Sequence, residues 1–468
     1  MNTQANNQRF LLHTLLWVCI GVVLASWLIV SAGTLFVVSI SILVGYMLWR
    51  KAEPQERVFL LGLFVLALVL RYLLIIYYYH LYLKTGAFPF LAPDGETLIN
   101  KGWYISQVLL HRDTAQVPSN EYVMKFNWVA LSDFGGKLPH WDQYQVGIYS
   151  YYLGVFFALF GYAPVATKCI SALSAVSAGV VSYYIAKEIF GKSIARVSYV
   201  LLLFFPSIFI HSLTNLSDPF LLLFGTLSVW SLVKMAKRPT LFLLTVLAVS
   251  ITAIYYLKKP LAPLIIAVAG LTFCNFLRMS AAKKVGIVII LMALIIGVGP
   301  LREKLVETQW GLNKLMLSHR QYSTLKGASY FIYPQRFYNE EILSVEGITP
   351  AETLFALLKG LLYFLFSPFP YSASLSAFGL ISSWQNIFWY FLFPFSPIGI
   401  IAGLRHNTKK ILPVFILLFL FTFILALSEG HSATSFRHRD LLMPGYLICA
   451  VAGFGLAFKK GGNTLERN

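Results

Sequence analysis

The chain has 468 residues, 58% of them hydrophobic and only 12% charged, with a mean hydropathy of +0.70. Soluble domains run nearer about 45–50% apolar and about 25% charged, so a water-soluble enzyme or binding module is excluded. The formal net charge of +18 would suit nucleic acid, but Lys and Arg cluster in short loops between apolar runs. Positive charge in that position reports membrane orientation, and no nucleic-acid partner is expected.

Taken in chain order, the apolar runs predict an all-α polytopic membrane protein with about twelve transmembrane helices. Spans are expected near residues 11–31, 33–49, 58–80, 164–187, 195–213, 219–234, 240–257, 261–277, 285–300, 386–404, 411–427 and 441–458. The first run is followed by a second run rather than by a small-residue cleavage site, so it reads as a retained span. Six short segments carry three basic residues each: Arg50/Lys51/Arg57, Lys187/Lys192/Arg196, Lys234/Lys237/Arg238, Arg278/Lys283/Lys284, Arg405/Lys409/Lys410 and Lys459/Lys460/Arg467. With Arg9 they hold 19 of the 37 basic residues. Placing them all in the cytoplasm puts both termini inside.

That orientation does not allow the apolar stretches 145–160 and 353–367 both to cross. Both are read as interfacial or re-entrant helices, in keeping with their tyrosines and phenylalanines. Two large outer segments result. The first spans 84–163, a polar loop followed by its interfacial helix, and is the expected catalytic region; the second spans 301–385. Short outer turns fall at 214–218, 258–260 and 428–440. Cys19, Cys169, Cys274 and Cys449 all lie in apolar runs without a C-x-x-C pair, so neither a zinc site nor a disulfide is expected. No internal repeat or linker is visible, and residues 1–468 read as one integral membrane domain.

The polar residues stranded on the outer side are the candidates for chemistry. Asp94 and Glu96, in PFLAPDGETLINKGWYIS, are carboxylates placed to take a proton from a sugar or lipid hydroxyl; Asp94 with Thr97 also fits a helix cap. Asp218, before Pro219, combines a helix-start signal with a second acid on the outer side. Lys258 and Lys259, in AIYYLKKPLAP, lie on the wrong side for the charge rule, as do Arg437, His438 and Arg439 in GHSATSFRHRDLLMPGYL. Such groups bind a lipid phosphate. Lysines snorkelling to headgroups, and arginines paired with Glu429 or Asp440, explain the same residues without a ligand. His140, Trp141 and Asp142 are candidate pocket residues, and with the acids they leave a divalent metal ion open as a cofactor. Arg71 and Lys168, near the outer ends of their spans, read as snorkelling side chains.

The stretch from His140 to Val233 resembles the GT-C superfamily of membrane glycosyltransferases, in particular its protein mannosyltransferase and aminoarabinose transferase branch. The resemblance rests on His140–Trp141, on an aromatic helix ending at Phe160–Gly161, on a small-residue span ending at Phe190–Gly191, and on Ser217–Asp218. Further on, Lys258-Lys259-Pro260 looks like the family's Lys-Gly-Pro-like turn. Arg437-His438-Arg439 with Pro444 looks like its late arginine motif. The chain departs from the pattern where Gly95 separates the two first-loop acids, where Trp141-Asp142 follow the histidine, and where two spans precede the one leading into the first loop.

The resemblance implies a GT-C-like fold and inverting transfer of a sugar from a polyprenyl-phosphate donor to a lipid, glycan or protein acceptor. The reaction would take place on the extracytoplasmic face of the cell membrane, for building the cell envelope. Asp94 would act as base, and Lys258, Lys259, Arg437 and Arg439 would hold the phosphate. A monomer is expected. A lipid-linked glycan polymerase or ligase, a nucleotide-sugar-dependent GT-C enzyme and a glycolipid flippase remain as alternative classes. No Gly-rich phosphate loop speaks for the nucleotide donor.

Overall fold

A computed structural model describes residues 31–85, 93–112, 147–258, 261–276, 312–324, 329–338, 349–369 and 377–458. The expected spans at 11–31 and 285–300 lie outside them. The described chain is helical: α1 Ala32–Lys51, α2 Arg57–Thr85, α3 Pro93–Leu109, α4 Gly147–Phe160, α5 Pro164–Phe190, α6 Lys192–Phe204, α7 Pro206–His211, α8 Asp218–Met235, α9 Leu241–Leu257, α10 Ala262–Phe276, α11 Leu312–Ser323, α12 Pro350–Phe366, α13 Ala377–Leu392, α14 Phe395–Ser428, α15 Ser432–Asp440 and α16 Met443–Phe458. A single bridge, Ser329 to His431, is the β-type pairing among the described residues.

The element ends follow local chemistry. Ser31 caps α1 by accepting from the Thr34 backbone N–H. Thr349 and Glu352 form a reciprocal capping box on α12, with Pro350 at its first position. Gly161 and Gly191 follow α4 and α5 with φ of 75° and 89°, which only glycine adopts without strain. The Phe-Gly pairs noted in the sequence are therefore helix stops. The expected span at 195–213 is instead two helices, α6 and α7. Pro206 lacks the N–H needed to continue α6, and Phe205 before it is extended, with ψ of 118°.

Five helices among the described residues are long and apolar enough to cross a membrane: α1, α2, α5, α8 and α14; α15 and α16 form a pair bent by 70°. The 14 residues of α4 cover about 21 Å, less than the ~30 Å hydrocarbon core. The 34 residues of α14 carry a non-helical backbone at Asn407. A Cβ on Gly403 would lie 2.8 Å from the Ile411 side chain, whereas eight residues of straight helix cover about 12 Å. The chain therefore folds back at Asn407, within the expected basic loop at 405–410. The expected span at 386–404 straddles the break at Phe393–Pro394; α13 occupies 377–392 and the following helix starts at Phe395.

The chain divides into two compact units, residues 1–180 with 208–223, and residues 181–207 with 224–468. In the first, α3 and α4 pack at glycine contacts: a Cβ on Gly102 would stand 2.5 Å from Leu153 Cβ, and one on Gly154 would stand 2.5 Å from the Ile105 side chain. In the second, α16 packs on the first arm of α14. A Cβ on Gly399 would collide with the Cys449 carbonyl, and one on Gly453 would collide with the Phe395 carbonyl. Small residues allow such approach where lipid offers helices no hydrophobic drive to associate.

The second unit also gathers charge by side. Glu188 binds Lys234 at 2.6 Å and Lys410 at 2.9 Å, which brings together three of the six segments expected in the cytoplasm.

Gly399→Ala must push two backbones apart, so it should lower the thermal stability of the purified protein by about 1–3 kcal/mol. Gly62 has open space around it, and Gly62→Ala should not. Equal melting temperatures for Gly399→Ala and the parent would refute the close packing of α14 on α16.

Candidate active site

In the first unit the site is built around the first turn of α3. The helix begins at Pro93, so Asp94 lies inside the first turn rather than at the cap, and its side chain is exposed. Two residues on, Glu96 forms an ion pair with Lys168 of α5 at 2.7 Å, and these side chains are only 16% and 5% exposed. Between them Gly95 lies against the turn before α8: a Cβ there would sit 3.1 Å from the Asn215 backbone N. The glycine that separates the two acids is thus what lets α3 approach this turn. Lys101, two helical turns after Asp94, is buried. Burial pushes its ammonium below the ordinary lysine range, and the nearby Asp94 charge opposes that shift.

The turn at 212–218 supplies further polar groups. Asp218 opens α8 and is buried; its charge reaches the Tyr149 hydroxyl of α4, which also meets Ser171 at 3.4 Å. The Tyr149 and Tyr152 rings pack on Phe220 at 5.6 and 5.4 Å between centroids. The Asn215 side chain is fully buried, and neither its amide nitrogen nor its amide oxygen has a hydrogen-bond partner among the described residues. An unsatisfied buried amide is unfavourable unless a ligand or water completes it. Arg71 does not snorkel. It is fully buried, donates to Ser212 Oγ at 2.8 Å and to the Ala67 carbonyl at 3.1 Å, and lies over the Phe209 ring. Lys168 does not snorkel either: it is buried in the pair with Glu96.

In the second unit, Lys258 ends α9 and is partly exposed. Its ammonium donates to His438 Nε2, and His438 Nδ1–H donates to Glu429 Oε1 at 2.5 Å. His319 of α11 donates from Nδ1 to the Glu429 backbone carbonyl. Expected outer elements thus meet one another: the turn at 258, the second large loop, and the turn at 428–440. Arg437 is partly exposed. Arg439 is fully buried, donates to the Leu365 carbonyl and to Asn386 Oδ1 at 2.7 Å, and lies over the Trp389 and Phe436 rings. Its guanidinium is engaged in holding α12 and α13, not presented at a surface. The Glu429 carboxylate pairs with His438 rather than with an arginine, and Asp440 accepts from Ser207 Oγ at 2.5 Å.

His140, Trp141, Asp142 and Lys259 lie outside the described residues. Among those described, no group of three or more His, Cys, Asp or Glu side chains could hold a metal ion. Lys168, Asn215 and Glu429 join these groups in the structure without having stood out as candidates in the sequence. Lys168 carried a signal, an ammonium one turn inside an apolar span, where charge is costly unless paired.

Residues 148–301 match the family model of dolichyl-phosphate-mannose-protein mannosyltransferases. That family is one of membrane glycosyltransferases of the GT-C type. The matched region covers less than half of the chain. It contains Lys168, Asn215, Asp218 and Lys258, and it excludes Asp94, Glu96 and Arg437. No curated protein and no solved structure matches the chain at a significant level.

Burial pushes His319 from 6.5 down to about 4, against the raising effect of the Glu429 carbonyl and carboxylate. Between those two values the unfolded chain binds a proton that the folded chain does not, so stability must fall as pH drops through the window. The loss attributable to this group is on the order of 3 kcal/mol at most. Thermal melts from pH 7 to pH 4 should show the decline, and His319→Phe should flatten it. An identical pH slope in both proteins would show that His319 titrates normally.

Proposed function

We propose that this protein is a membrane glycosyltransferase of the GT-C type that moves a sugar from a polyprenyl-phosphate donor to a hydroxyl acceptor on the extracytoplasmic face of the membrane, with Asp94 as the base. The acceptor oxygen attacks the anomeric carbon from the face opposite the phosphate. The bond from that carbon to the phosphate oxygen breaks, and its electron pair leaves with the lipid phosphate. The acceptor proton passes to Asp94, and the configuration at carbon inverts. A lipid, a glycan or a protein each offers a suitable hydroxyl.

The observation that carries this reading is the division of labour between the two acids of α3. Glu96 is held by Lys168, so its carboxylate is committed to fixing the helix. Asp94 is the exposed carboxylate of the pair, on a turn backed at Gly95 by the Asn215 main chain. A base on a rigid element, presented to solvent, can meet a hydroxyl at constant geometry. Lys258 and Arg437 are partly exposed cations of the second unit, and they are assigned to the donor phosphate by their chemistry.

The face is tested by thiol labelling of intact cells in a background lacking the four native cysteines. Ala433 and Lys409 are both exposed. Ala433→Cys should react with an impermeant reagent and Lys409→Cys should not; the reverse pattern would place the site in the cytoplasm.

For the base, Asp94→Asn keeps the side-chain size and removes the proton acceptor. Turnover, followed by mass spectrometry of lipid-linked saccharide and product, should fall by roughly 10²- to 10⁴-fold, with donor binding within about twofold of the parent. Undiminished turnover in Asp94→Asn would remove this group from the chemistry.

A further inference from the structure

Glu429, His438 and Lys258 form a chain of three ionisable groups in which only the last is partly exposed. The His438 and Glu429 side chains are each 2% exposed, so neither can touch a ligand. The direction of the hydrogen bonds follows from the partners. The Glu429 carboxylate accepts, so His438 carries its proton on Nδ1 and leaves Nε2 as the acceptor for the Lys258 ammonium. A carboxylate that fixes the tautomer of an imidazole, which in turn fixes a third group, is a positioning device.

Stability does not account for the arrangement. Glu429 Oε2 is buried with no hydrogen-bond partner among the described residues, and so is Nε2 of His319, whose other nitrogen holds the Glu429 backbone. Burying a carboxylate with one oxygen unmatched disfavours folding, and ionisable groups kept in such surroundings concentrate at functional sites. A lysine at the end of an apolar helix would ordinarily trail its flexible stem toward the headgroups. Here its ammonium has a fixed anchor in His438.

We propose that Glu429 and His438 are positioning residues that hold the Lys258 ammonium in place for the phosphate of the lipid-linked donor. This rests on the polyprenyl-phosphate reading above. The chemistry gives the arrangement a use. The donor phosphodiester carries one negative charge, and when the bond to the sugar breaks, the departing phosphomonoester approaches two, its second pKa being about 6. A cation already in position is attracted more strongly as that charge develops and does not have to reorganise during the reaction.

The test is a double-mutant cycle on the full-length protein in lipid nanodiscs, read by the binding of radiolabelled farnesyl phosphate, with farnesol as the uncharged control. The parent should bind the phosphate more tightly than the alcohol. Lys258→Met should weaken farnesyl phosphate binding roughly 10- to 100-fold, the usual consequence of losing a charge-assisted contact, and leave farnesol unchanged. His438→Gln should cause a loss of similar size in the parent and less than about twofold in the Lys258→Met background, because it acts through the lysine. If His438→Gln does not yield folded protein, the same cycle is run on Glu429→Gln. Losses that multiply would overturn the positioning role, and so would full farnesyl phosphate affinity in Lys258→Met. A parent that does not distinguish the phosphate from the alcohol would instead overturn the donor reading on which this one stands.

Discussion

Lys168 sits one turn into a 27-residue apolar helix, where an ammonium would ordinarily reach for water, and it is held at 2.7 Å by Glu96 instead. Much of the first unit's geometry follows from that pair. It ties the start of α3 to α5, and Gly102 and Gly154 let the rest of α3 lie directly on α4. With both ends fixed, Gly95 is brought against the Asn215 main chain and Asp94 remains exposed. Removing either partner would leave a largely buried charge without its counterion, which is far less favourable than never having placed the pair there. The pair therefore acts as a lock on register more than as a source of net stability.

The same constraint governs the two arginines that the sequence suggested were surface groups. In a membrane interior a charged side chain must be matched inside the protein. Arg71 is matched by Ser212, the Ala67 carbonyl and the Phe209 ring, and Arg439 by the Leu365 carbonyl, Asn386 and two rings. The planar guanidinium suits this use because it donates in fixed directions while its faces stack on aromatic rings. Arg439 thereby connects α15 to α12 and α13, and Arg437, two residues earlier on the same helix, is left partly exposed.

Helix existence was legible in the sequence because lipid demands long apolar runs, and the Phe160–Gly161 and Phe190–Gly191 stops were legible because only glycine suits their backbone. The break at Phe205–Pro206 was also written there, in a proline inside an apolar run, but hydropathy counts alone pass over it. The helix boundary near 393 was not legible: Phe393–Pro394 interrupts a continuously apolar stretch and no charge marks it, whereas the fold-back at Asn407 falls in the expected basic loop at 405–410. Among the candidate residues, the acids of the first large loop stood out by their position. Their partners did not, because Lys168 and Glu96 are 72 residues apart, and Lys258 and His438 are 180 apart. Pairings over such separations are set by tertiary packing and leave no periodic trace.

Two charge clusters of the second unit differ in a way that bears on where chemistry can occur. Around Glu188 both carboxylate oxygens are taken, Oε2 by Lys234 and Oε1 by Lys410. Each group there has its counterion, and the cluster serves to join three segments. Around Glu429 one oxygen is taken by His438 and the other has no partner among the described residues, while the chain of contacts runs on to Lys258, a partly exposed residue. A saturated cluster has little left to offer a ligand. In the second cluster the unmatched atom is a buried carboxylate oxygen, and the residue at the other end of the chain of contacts is the partly exposed Lys258. The two clusters come from the same residue types, so composition cannot separate them; the difference lies in how many hydrogen-bonding positions each fold leaves open.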